Sequence, residues 1–221
     1  MPLLEVCAGS IESALNAHSA KADRIELCME LSVGGLTPSK GMIQLVKEMV
    51  EIPVYVLIRP RSGDFCYSLL ELEQMKEDVS LCAKMGCEGV VIGALTPDRK
   101  IHERMVYELM QEAGYMDVTF HRAFDAVQNP FEALDTLREL GVQRVLTSGG
   151  AATAVEGYEL LGELIEEADD DVIIMPGGGI RLANINLMLS LEAREYHSAA
   201  LVDGEKHSSK QEIEALLKKL A

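Results

Sequence analysis

The sequence predicts a single-domain (β/α)8 barrel, the TIM-barrel fold, over residues 1–221. Eight short apolar or β-branched runs alternate with segments of helical period, and the runs begin about 27 residues apart, close to the strand–helix–strand repeat. No stretch rich in Ser, Gly or Pro divides the chain, and 48% apolar residues are ample for one core. An open, doubly wound sheet is the alternative, because the pattern alone leaves the closure of the eighth strand onto the first undecided.

The eight strands are predicted from runs that are each bounded by polar residues or a glycine turn. In chain order they cover residues 3–7, 23–27, 54–58, 89–92, 117–121, 144–147, 172–175 and 195–198. A helical pattern with recognisable starts and stops lies between consecutive runs. This alternation is typical of a parallel barrel.

Capping residues mark where several of the helices begin and end. Asn129 followed by Pro130 supplies an N-cap and a first-turn proline, and Ser209 with Glu212 starts a closing helix through Leu220. The spacing of a capping box also occurs at Ser68 with Glu71 and at Thr153 with Glu156. Left-handed residues are expected at three helix ends, namely Gly86, Gly114 and Gly141.

The charge of the chain excludes several classes of function. With 36 Asp and Glu against 20 Lys and Arg, the formal net charge is −16, so the surface repels nucleic-acid phosphates and anionic lipid headgroups. No apolar run approaches the roughly 18–20 residues that span a bilayer, and the first residues lack the pattern of a secretory signal. We therefore expect a cytoplasmic protein that binds neither nucleic acid nor membrane, and whose five cysteines are reduced.

In a barrel of this type, the functional groups lie at the C-terminal ends of the strands. The first two predicted strands end in the same order, Glu5-Val6-Cys7 and Glu26-Leu27-Cys28. Side chains alternate along a strand, so the Glu and Cys of each pair share one face. If that face is the barrel interior, two carboxylates and two thiols converge there.

Further ionisable residues lie at or just after other strand ends. They are Arg59, Arg61 and Asp64 after the third strand, His121, Arg122 and Asp125 at the end of the fifth, and His197 in the eighth. Buried charges are costly unless paired, so we expect these groups to neutralise one another around a small cavity. A pocket for a small anionic ligand is one interpretation, and an internal salt-bridge layer that only closes the barrel is the other.

Two glycine-rich turns favour the pocket. One contains Ser148 and Gly149 after the sixth strand, and the other contains Gly177 and Gly178 after the seventh. Glycines allow backbone N–H groups to approach an anion closely, and phosphate sites of this fold often use the loops after the seventh and eighth strands. Glycines also serve ordinary tight turns, so both interpretations remain open.

Some chemistries are disfavoured by what the sequence lacks. Every lysine falls in a predicted loop or helix, so a strand lysine for Schiff-base catalysis is missing. There is no Ser nucleophile elbow, HExxH or CxxC motif, so a structural zinc site is not expected.

Cys7 and Cys28 are candidate ligands for a soft metal ion. Adjacent strands lie about 4.8 Å apart, so thiols at equivalent depth on the first two strands can share one ion. Two thiolates suit Cu(I) and disfavour Ca²⁺ or Mg²⁺. The alternative is that both cysteines are small apolar residues that fill the barrel.

These residues, in this order, resemble the CutC family of proteins associated with copper homeostasis. The matching blocks are Glu5-Val6-Cys7, Ala22-Asp23-Arg24-Ile25-Glu26-Leu27-Cys28, Gly34-Gly35-Leu36-Thr37-Pro38-Ser39, Ile58-Arg59-Pro60-Arg61, Gly63-Asp64-Phe65-Cys66-Tyr67-Ser68, Gly93-Ala94-Leu95-Thr96, Thr119-Phe120-His121-Arg122-Ala123-Phe124-Asp125, Arg144-Val145-Leu146-Thr147-Ser148-Gly149 and His197-Ser198. The resemblance implies a TIM barrel, a cytoplasmic location, and Cu(I) binding at Cys7 and Cys28.

The sequence is therefore compatible with three functions. The first is a copper-homeostasis protein that binds Cu(I) through Cys7 and Cys28. The second is an isomerase or lyase acting on a small anionic or phosphorylated metabolite. In such an enzyme, arginines and the glycine turns would hold the anion, and Glu26 or His121 would transfer a proton. Glu5, Asp125 and His197 would orient the reacting groups or shuttle protons. The third is a non-catalytic scaffold or homo-oligomer subunit. Candidate catalytic residues are Glu26, Arg59 and His121.

Overall fold

The computed structural model describes residues 1–221, which form eight parallel strands that alternate with eight α-helices. In chain order the elements are β1 (Leu3–Ala8), α1 (Ile11–Ser19), β2 (Arg24–Leu27), α2 (Lys40–Met49), β3 (Val54–Leu57), α3 (Leu69–Lys84), β4 (Gly89–Ile92), α4 (Glu103–Ala113), β5 (Asp117–Phe120), α5 (Pro130–Leu140), β6 (Arg144–Thr147), α6 (Tyr158–Ala168), β7 (Ile173–Pro176), α7 (Ile185–Leu189), β8 (Glu195–Ser198) and α8 (Lys210–Leu220). Short 3₁₀ helices follow β2 at Leu31–Val33 and β5 at Arg122–Ala126. None of the helices combines the length and apolarity that a membrane-spanning segment requires.

The strands form a nearly closed barrel. The sheet order is β7-β6-β5-β4-β3-β2-β1-β8, so β1 pairs with both β2 and β8. Glu5 lies opposite Arg24 on one side and opposite His197 on the other. β7 and β8 lie side by side without being hydrogen-bonded to each other. The predicted (β/α)8 barrel is confirmed, and the β1–β8 pairing excludes the open doubly wound sheet.

Most helix boundaries agree with the capping residues. Ser68 and Glu71 exchange both hydrogen bonds of a capping box before α3. Asn129 caps α5, which begins at Pro130, and Gly141 ends that helix in the left-handed region. These local contacts satisfy backbone groups that the helix ends leave unpaired.

The segment at Thr153 differs from the sequence expectation. Thr153 and Glu156 do exchange capping-box hydrogen bonds, but only a turn follows, and α6 starts at Tyr158. The reason is close packing at Gly157, because a Cβ there would lie 1.9 Å from the carbonyl oxygen of Ser148. The loop must therefore pass close to the turn after β6 before the helix can begin.

Two apolar regions flank the strands. Leu4, Val6 and Ile25 belong to the large core between strands and helices, whereas Cys7 belongs to a small cluster with Cys28, Tyr55, Leu57 and Val91. Alternation along β1 therefore separates Val6 from Cys7. This arrangement directs Glu5 and Cys7 into the barrel.

A salt-bridge layer fills the N-terminal end of the barrel. Arg24 contacts the carboxylates of Glu5 and Glu195, and Arg144 Nε lies 3.0 Å from Glu195 Oε2. Both guanidinium groups lie over the Tyr55 ring, at 4.8 and 5.2 Å from its centre. All five residues are buried, so the charges are paired away from water.

Candidate functional site

A cavity of about 290 Å³ opens at the C-terminal ends of the strands. Its polar lining is formed by Cys7, Glu26, Arg59, His121, Arg122, Arg181 and His197. Its apolar lining includes Leu31, Val33, Leu57, Phe65 and Leu146. The size is at the lower end of the range for small-molecule pockets, so the cavity fits an ion or a small metabolite.

Cys7 and Cys28 lie next to each other at the base of this cavity. Their Sγ atoms are 3.5 Å apart. Cys7 lines the cavity, whereas Cys28 is fully buried. Cys28 packs against Gly35, because a Cβ added at Gly35 would lie 3.5 Å from the Cβ of Cys28. The contact with Cys28, together with burial and the nearby Glu26 carboxylate, raises the pKa of the Cys7 thiol.

A chain of ionisable groups connects the cavity to the salt-bridge layer. His197 Nδ1 lies 2.7 Å from Glu5 Oε1, and His197 Nε2 lies 3.6 Å from Glu26 Oε2. Burial opposes ionisation of Glu5, but Arg24 and the His197 hydrogen bond outweigh it and lower the Glu5 pKa to about 2. Burial likewise opposes the charged form of His197, but the two carboxylates outweigh it and raise the pKa of His197.

Glu26 differs from Glu5 in its electrostatic surroundings. Burial, with the nearby Glu5 carboxylate, raises the pKa of Glu26 despite the opposing effect of His197. Its carboxylate interacts with the Cys7 thiol, and its Oε2 atom lies 3.6 Å from His197 Nε2. One ligand atom from each of Cys7, Glu26 and His197 lies within 4.8 Å of the others, so these three residues can hold a metal ion.

Arg59 is held by backbone carbonyl groups. Its guanidinium group donates hydrogen bonds to the carbonyl oxygens of Val33, Gly35 and Gly63 at 2.8, 3.0 and 3.1 Å, and it lies 4.9 Å from the centre of the Phe65 ring. Arg59 therefore joins the loop after β2 to the loop after β3 while one side of it faces the cavity.

His121 is a neutral residue in the cavity wall. Burial, with the nearby Arg59 cation, lowers its pKa to about 3. Nδ1 accepts a hydrogen bond of 3.1 Å from the Ala123 N–H, so the proton of the neutral ring is assigned to Nε2. Nε2 has no hydrogen-bond partner. In this form His121 can donate a hydrogen bond, but it cannot accept a proton at Nε2.

Asp125 lies in the 3₁₀ helix after β5, and its carboxylate reaches the turn after β6. Its Oδ1 atom accepts hydrogen bonds from the N–H groups of Ser148 and Gly150 at 2.9 and 3.1 Å, and its Oδ2 atom lies 2.7 Å from Arg122 Nε. The N–H group of Gly149 donates to Thr147 Oγ1 instead. The donors proposed to bind an anion at this turn are thus already satisfied by side chains of the protein.

The turn after β7 has unpaired donors. Gly178 and Gly179 line the cavity, and their N–H groups donate no hydrogen bond within the protein. Their φ angles are +97° and +81°, which favour glycine. Gly177 serves packing, since a Cβ there would lie 2.4 Å from Leu146 Cδ1. Arg122 also lines this side of the cavity, which makes it the part best suited to an anion.

Arg61 and Asp64 lie apart from the other candidates. Arg61 contacts Asp64 Oδ1 at 3.0 Å and Glu71 Oε1 at 2.5 Å, and its guanidinium group lies 5.2 Å from the centre of the Tyr67 ring. Neither Arg61 nor Asp64 lines the cavity. These contacts instead hold the loop after β3 against the start of α3.

The structure adds residues that sequence reasoning missed. Arg24, Arg144 and Glu195 support the cavity from below through Glu5, and Phe65 lines it. Charged residues at the first or second position of a predicted strand would have indicated Arg24, Arg144 and Glu195. Phe65 carried no such signal, because its position depends on the path of a loop.

Most of the chain matches known proteins of one family. A family model described as the CutC family matches residues 2–202. The "Copper homeostasis protein cutC homolog" of Homo sapiens is 51% identical over 199 residues, which cover 90% of this chain and 73% of the human protein. A CutC family protein of Xylella fastidiosa is 47% identical over 198 residues, covering 89% of this chain and 74% of that protein.

Solved structures agree with this result. The crystal structure of CutC from Streptococcus agalactiae matches with a TM-score of 0.84 and 31% identity, covering 90% of this chain and 99% of that chain. The structure of KGPDC from Streptococcus mutans has a TM-score of 0.70 but only 9% identity, so it shares the fold alone. The match over residues 2–202 and the relatives near 50% identity show that the chain belongs to the CutC family.

Proposed function

We propose that this protein binds Cu(I) through the thiolates of Cys7 and Cys28 and acts in copper homeostasis in the cytoplasm. The observation that carries the proposal is the 3.5 Å separation of the two Sγ atoms, with Cys7 facing an open cavity. Soft thiolates prefer Cu(I) over hard cations. The names of the human and bacterial relatives refer to copper homeostasis or to CutC, which supports the same function.

The sulfur separation favours a bent site. With metal–sulfur bonds of about 2.3 Å, sulfurs 3.5 Å apart subtend an angle of about 100° at the ion. If the ion were coordinated linearly by the two thiolates, the same bond length would require the sulfurs to be about 4.6 Å apart. Binding therefore either increases the distance between the two sulfurs by about 1 Å or adds a third ligand from the cavity.

Competition for Cu(I) tests this proposal. The reduced protein is titrated with Cu(I) against a chromophoric Cu(I) chelator without oxygen. One equivalent of tight binding is expected for the wild type, with loss in Cys7→Ser and Cys28→Ser. Cys66→Ser is the matched control, because Cys66 lies in the loop after β3 and does not line the cavity. Undiminished uptake in the Cys7→Ser/Cys28→Ser double variant would refute the proposal.

An isomerase or lyase acting on a small anionic metabolite is the second candidate. It is favoured by the unpaired N–H groups of Gly178 and Gly179 beside Arg122, with Glu26 across the same cavity. The N–H groups and Arg122 bind the anion, and Glu26 transfers a proton because its pKa is raised toward neutrality. His121 donates a hydrogen bond from Nε2 to the reacting substrate.

A thermal-shift screen with small phosphorylated and carboxylated compounds tests the second candidate. A compound that stabilises the wild type is expected to lose its effect in Arg122→Gln. Arg61→Gln is the matched control, since that arginine lies outside the cavity. If no anionic compound shifts the transition while Cu(I) does, the enzyme hypothesis is rejected.

A further inference from the structure

We propose that Cys7, Glu26 and His197 form a second metal site, a three-ligand site for a divalent ion of the Zn²⁺ class with an open coordination position toward the cavity. The three residues come from the neighbouring strands β1, β2 and β8. One ligand atom from each lies within 4.8 Å of the others, and all three residues line the cavity. Sequence motifs do not reveal this site, because no two of its ligands come from the same strand.

The three ligand residues are buried and converge on the cavity. His197 Nε2 and Glu26 Oε2 are 3.6 Å apart, too far for a hydrogen bond between them, and the Glu26 carboxylate interacts with the Cys7 thiol. The side chains of His197 and Glu26 are only 10% and 6% exposed. Polar atoms shielded from bulk water interact strongly with an ion, so an ion bound between these three side chains would be favoured over their weak contacts with one another.

The surroundings of His197 match those of a metal-binding histidine. Its Nδ1 atom is hydrogen-bonded to Glu5 Oε1 at 2.7 Å, which directs Nε2 toward Glu26 and the cavity. The other Glu5 oxygen is held by Arg24 Nε at 2.5 Å. Metal-binding histidines usually donate their second ring N–H to a carboxylate in this manner, which fixes the ring and its tautomer.

The donor set and the charges suit Zn²⁺. One thiolate sulfur, one imidazole nitrogen and one carboxylate oxygen are all Zn²⁺ ligands, whereas Mg²⁺ and Ca²⁺ avoid sulfur. The Cys7 thiolate and the Glu26 carboxylate together neutralise the two positive charges of the ion. Glu5 does not upset this balance, because Arg24 neutralises it.

The distances fit after a small adjustment. In a tetrahedral Zn²⁺ site with bonds of about 2.0–2.3 Å, neighbouring ligand atoms lie about 3.3–3.6 Å apart. His197 Nε2 and Glu26 Oε2 are already 3.6 Å apart, and none of the three pairs exceeds 4.8 Å. Closure therefore needs movements of about 1 Å, within the range of small rotamer adjustments. The fourth position then faces the cavity, as in catalytic zinc sites.

The copper proposal and this site share Cys7, but each also depends on a residue that the other does not require. Cu(I) binding depends on Cys28, which is buried behind Cys7 and does not line the cavity. Zn²⁺ binding depends on Glu26 and His197. The two ions therefore compete, and substitutions separate the two sites.

Zn²⁺ and Co²⁺ titrations test the proposal. The reduced apoprotein is titrated with Zn²⁺ against a chromophoric chelator, and in parallel with Co²⁺ followed by its thiolate charge-transfer absorption. One equivalent is expected in the wild type. Glu26→Gln and His197→Gln should each lower Zn²⁺ affinity about 10-fold or more, and Glu5→Gln about 10–100-fold through the histidine it orients. Circular dichroism checks that each variant is folded, and the near-isosteric Glu26→Gln is the decisive one.

Cys28→Ser separates this site from the two-thiol site. It should abolish Cu(I) binding yet leave Zn²⁺ affinity and the Co²⁺ absorption close to those of the wild type. Three results would overturn the Zn²⁺ site: no equivalent bound by the wild type, unchanged affinity in Glu26→Gln, or loss of Zn²⁺ in Cys28→Ser. None of these results bears on whether Cys7 and Cys28 bind Cu(I), so the two proposals fail separately.

Discussion

The imidazole Nδ1 atom of His197 lies 2.7 Å from Oε1 of Glu5, and this contact couples the cavity to the salt-bridge layer below it. Glu5 has one oxygen on His197 and the other on Arg24. Arg24 in turn contacts Glu195, which Arg144 also binds. The orientation of a cavity residue thus depends on charges at the opposite end of the barrel.

Removal of the Arg24 guanidinium group from the salt-bridge layer should strongly destabilise the protein. Arg24→Met removes the guanidinium group that contacts both buried carboxylates, Glu5 and Glu195, so we expect the free energy of unfolding to fall by about 3–5 kcal/mol. Urea denaturation measures the change. Arg104→Met is the control, because Arg104 is 74% exposed in its pair with Glu108, and a change of at most about 1 kcal/mol is expected. Equal effects of the two substitutions would contradict the structural role of Arg24.

The stability of the protein should depend on pH through His121. The native state keeps His121 neutral down to about pH 3, whereas its ordinary pKa of 6.5 lets the unfolded chain bind a proton below that pH. Stability is therefore fully present above pH 6.5 and falls as the pH is lowered toward 3. The slope from this one group is at most about 1.4 kcal/mol per pH unit.

His121→Asn isolates this contribution. The Asn oxygen can take the place of Nδ1 as acceptor for the Ala123 N–H, and the residue does not titrate. Urea denaturation of both proteins at pH 5 and pH 7 gives the difference in slope, in which the contributions of groups common to both cancel. Parallel pH profiles for the two proteins would show that His121 is not held neutral by burial and Arg59.

The turn after β7 should be sensitive to a methyl group. Gly178→Ala places a Cβ at φ +97° and 3.2 Å from Arg122 Cζ, so both strain and a loss of anion affinity are expected. Gly86→Ala is the matched control, since Gly86 has φ +71° and open space around its Cβ position. Each should lose about 1–2 kcal/mol of stability from the left-handed backbone. Only Gly178→Ala should weaken the thermal shift caused by an anion, and equal weakening would remove this turn from the binding site.

The turn after β6 should become an anion site once Asp125 is removed. Asp125→Ala frees the N–H groups of Ser148 and Gly150 and unpairs Arg122. We expect a lower transition temperature, because hydrogen bonds to a charged group contribute about 1.5–3 kcal/mol each. Added phosphate should restore part of the loss in the variant and raise the wild type less. The same phosphate response in both proteins would show that the carboxylate does not occupy an anion position.

The strands could be predicted closely because local patterns determine them. Every predicted strand lies within one residue of the observed bounds, for example 54–58 against Val54–Leu57. Alternation also placed Glu5 and Cys7 on one face, which is the barrel interior in the structure. Cys7 lies opposite Glu26 in the β1–β2 register, so its contact with Cys28 is diagonal rather than at equal depth. Closure of the barrel could not be derived from any single element, since it depends on β1 meeting a strand about 190 residues later.

Side-chain directions beyond the strand ends were not predictable from the sequence. Arg59 and Arg61 are two residues apart in one loop, yet the first binds carbonyl groups beside the cavity and the second binds Glu71 on α3. The glycines after β6 and β7 look alike in the sequence, but Asp125 pairs with the donors of the first turn only. Such differences arise from partners far along the chain.

The missing backbone pairing between β7 and β8 leaves a seam in the barrel wall. Gly178 follows one edge of this seam and His197 lies on the other, so the cavity straddles it. Small changes in the spacing of these edges disturb side-chain packing without breaking any strand ladder. A ligand bound to both edges would hold them together, so the barrel wall would open more slowly at this seam when the ligand is bound.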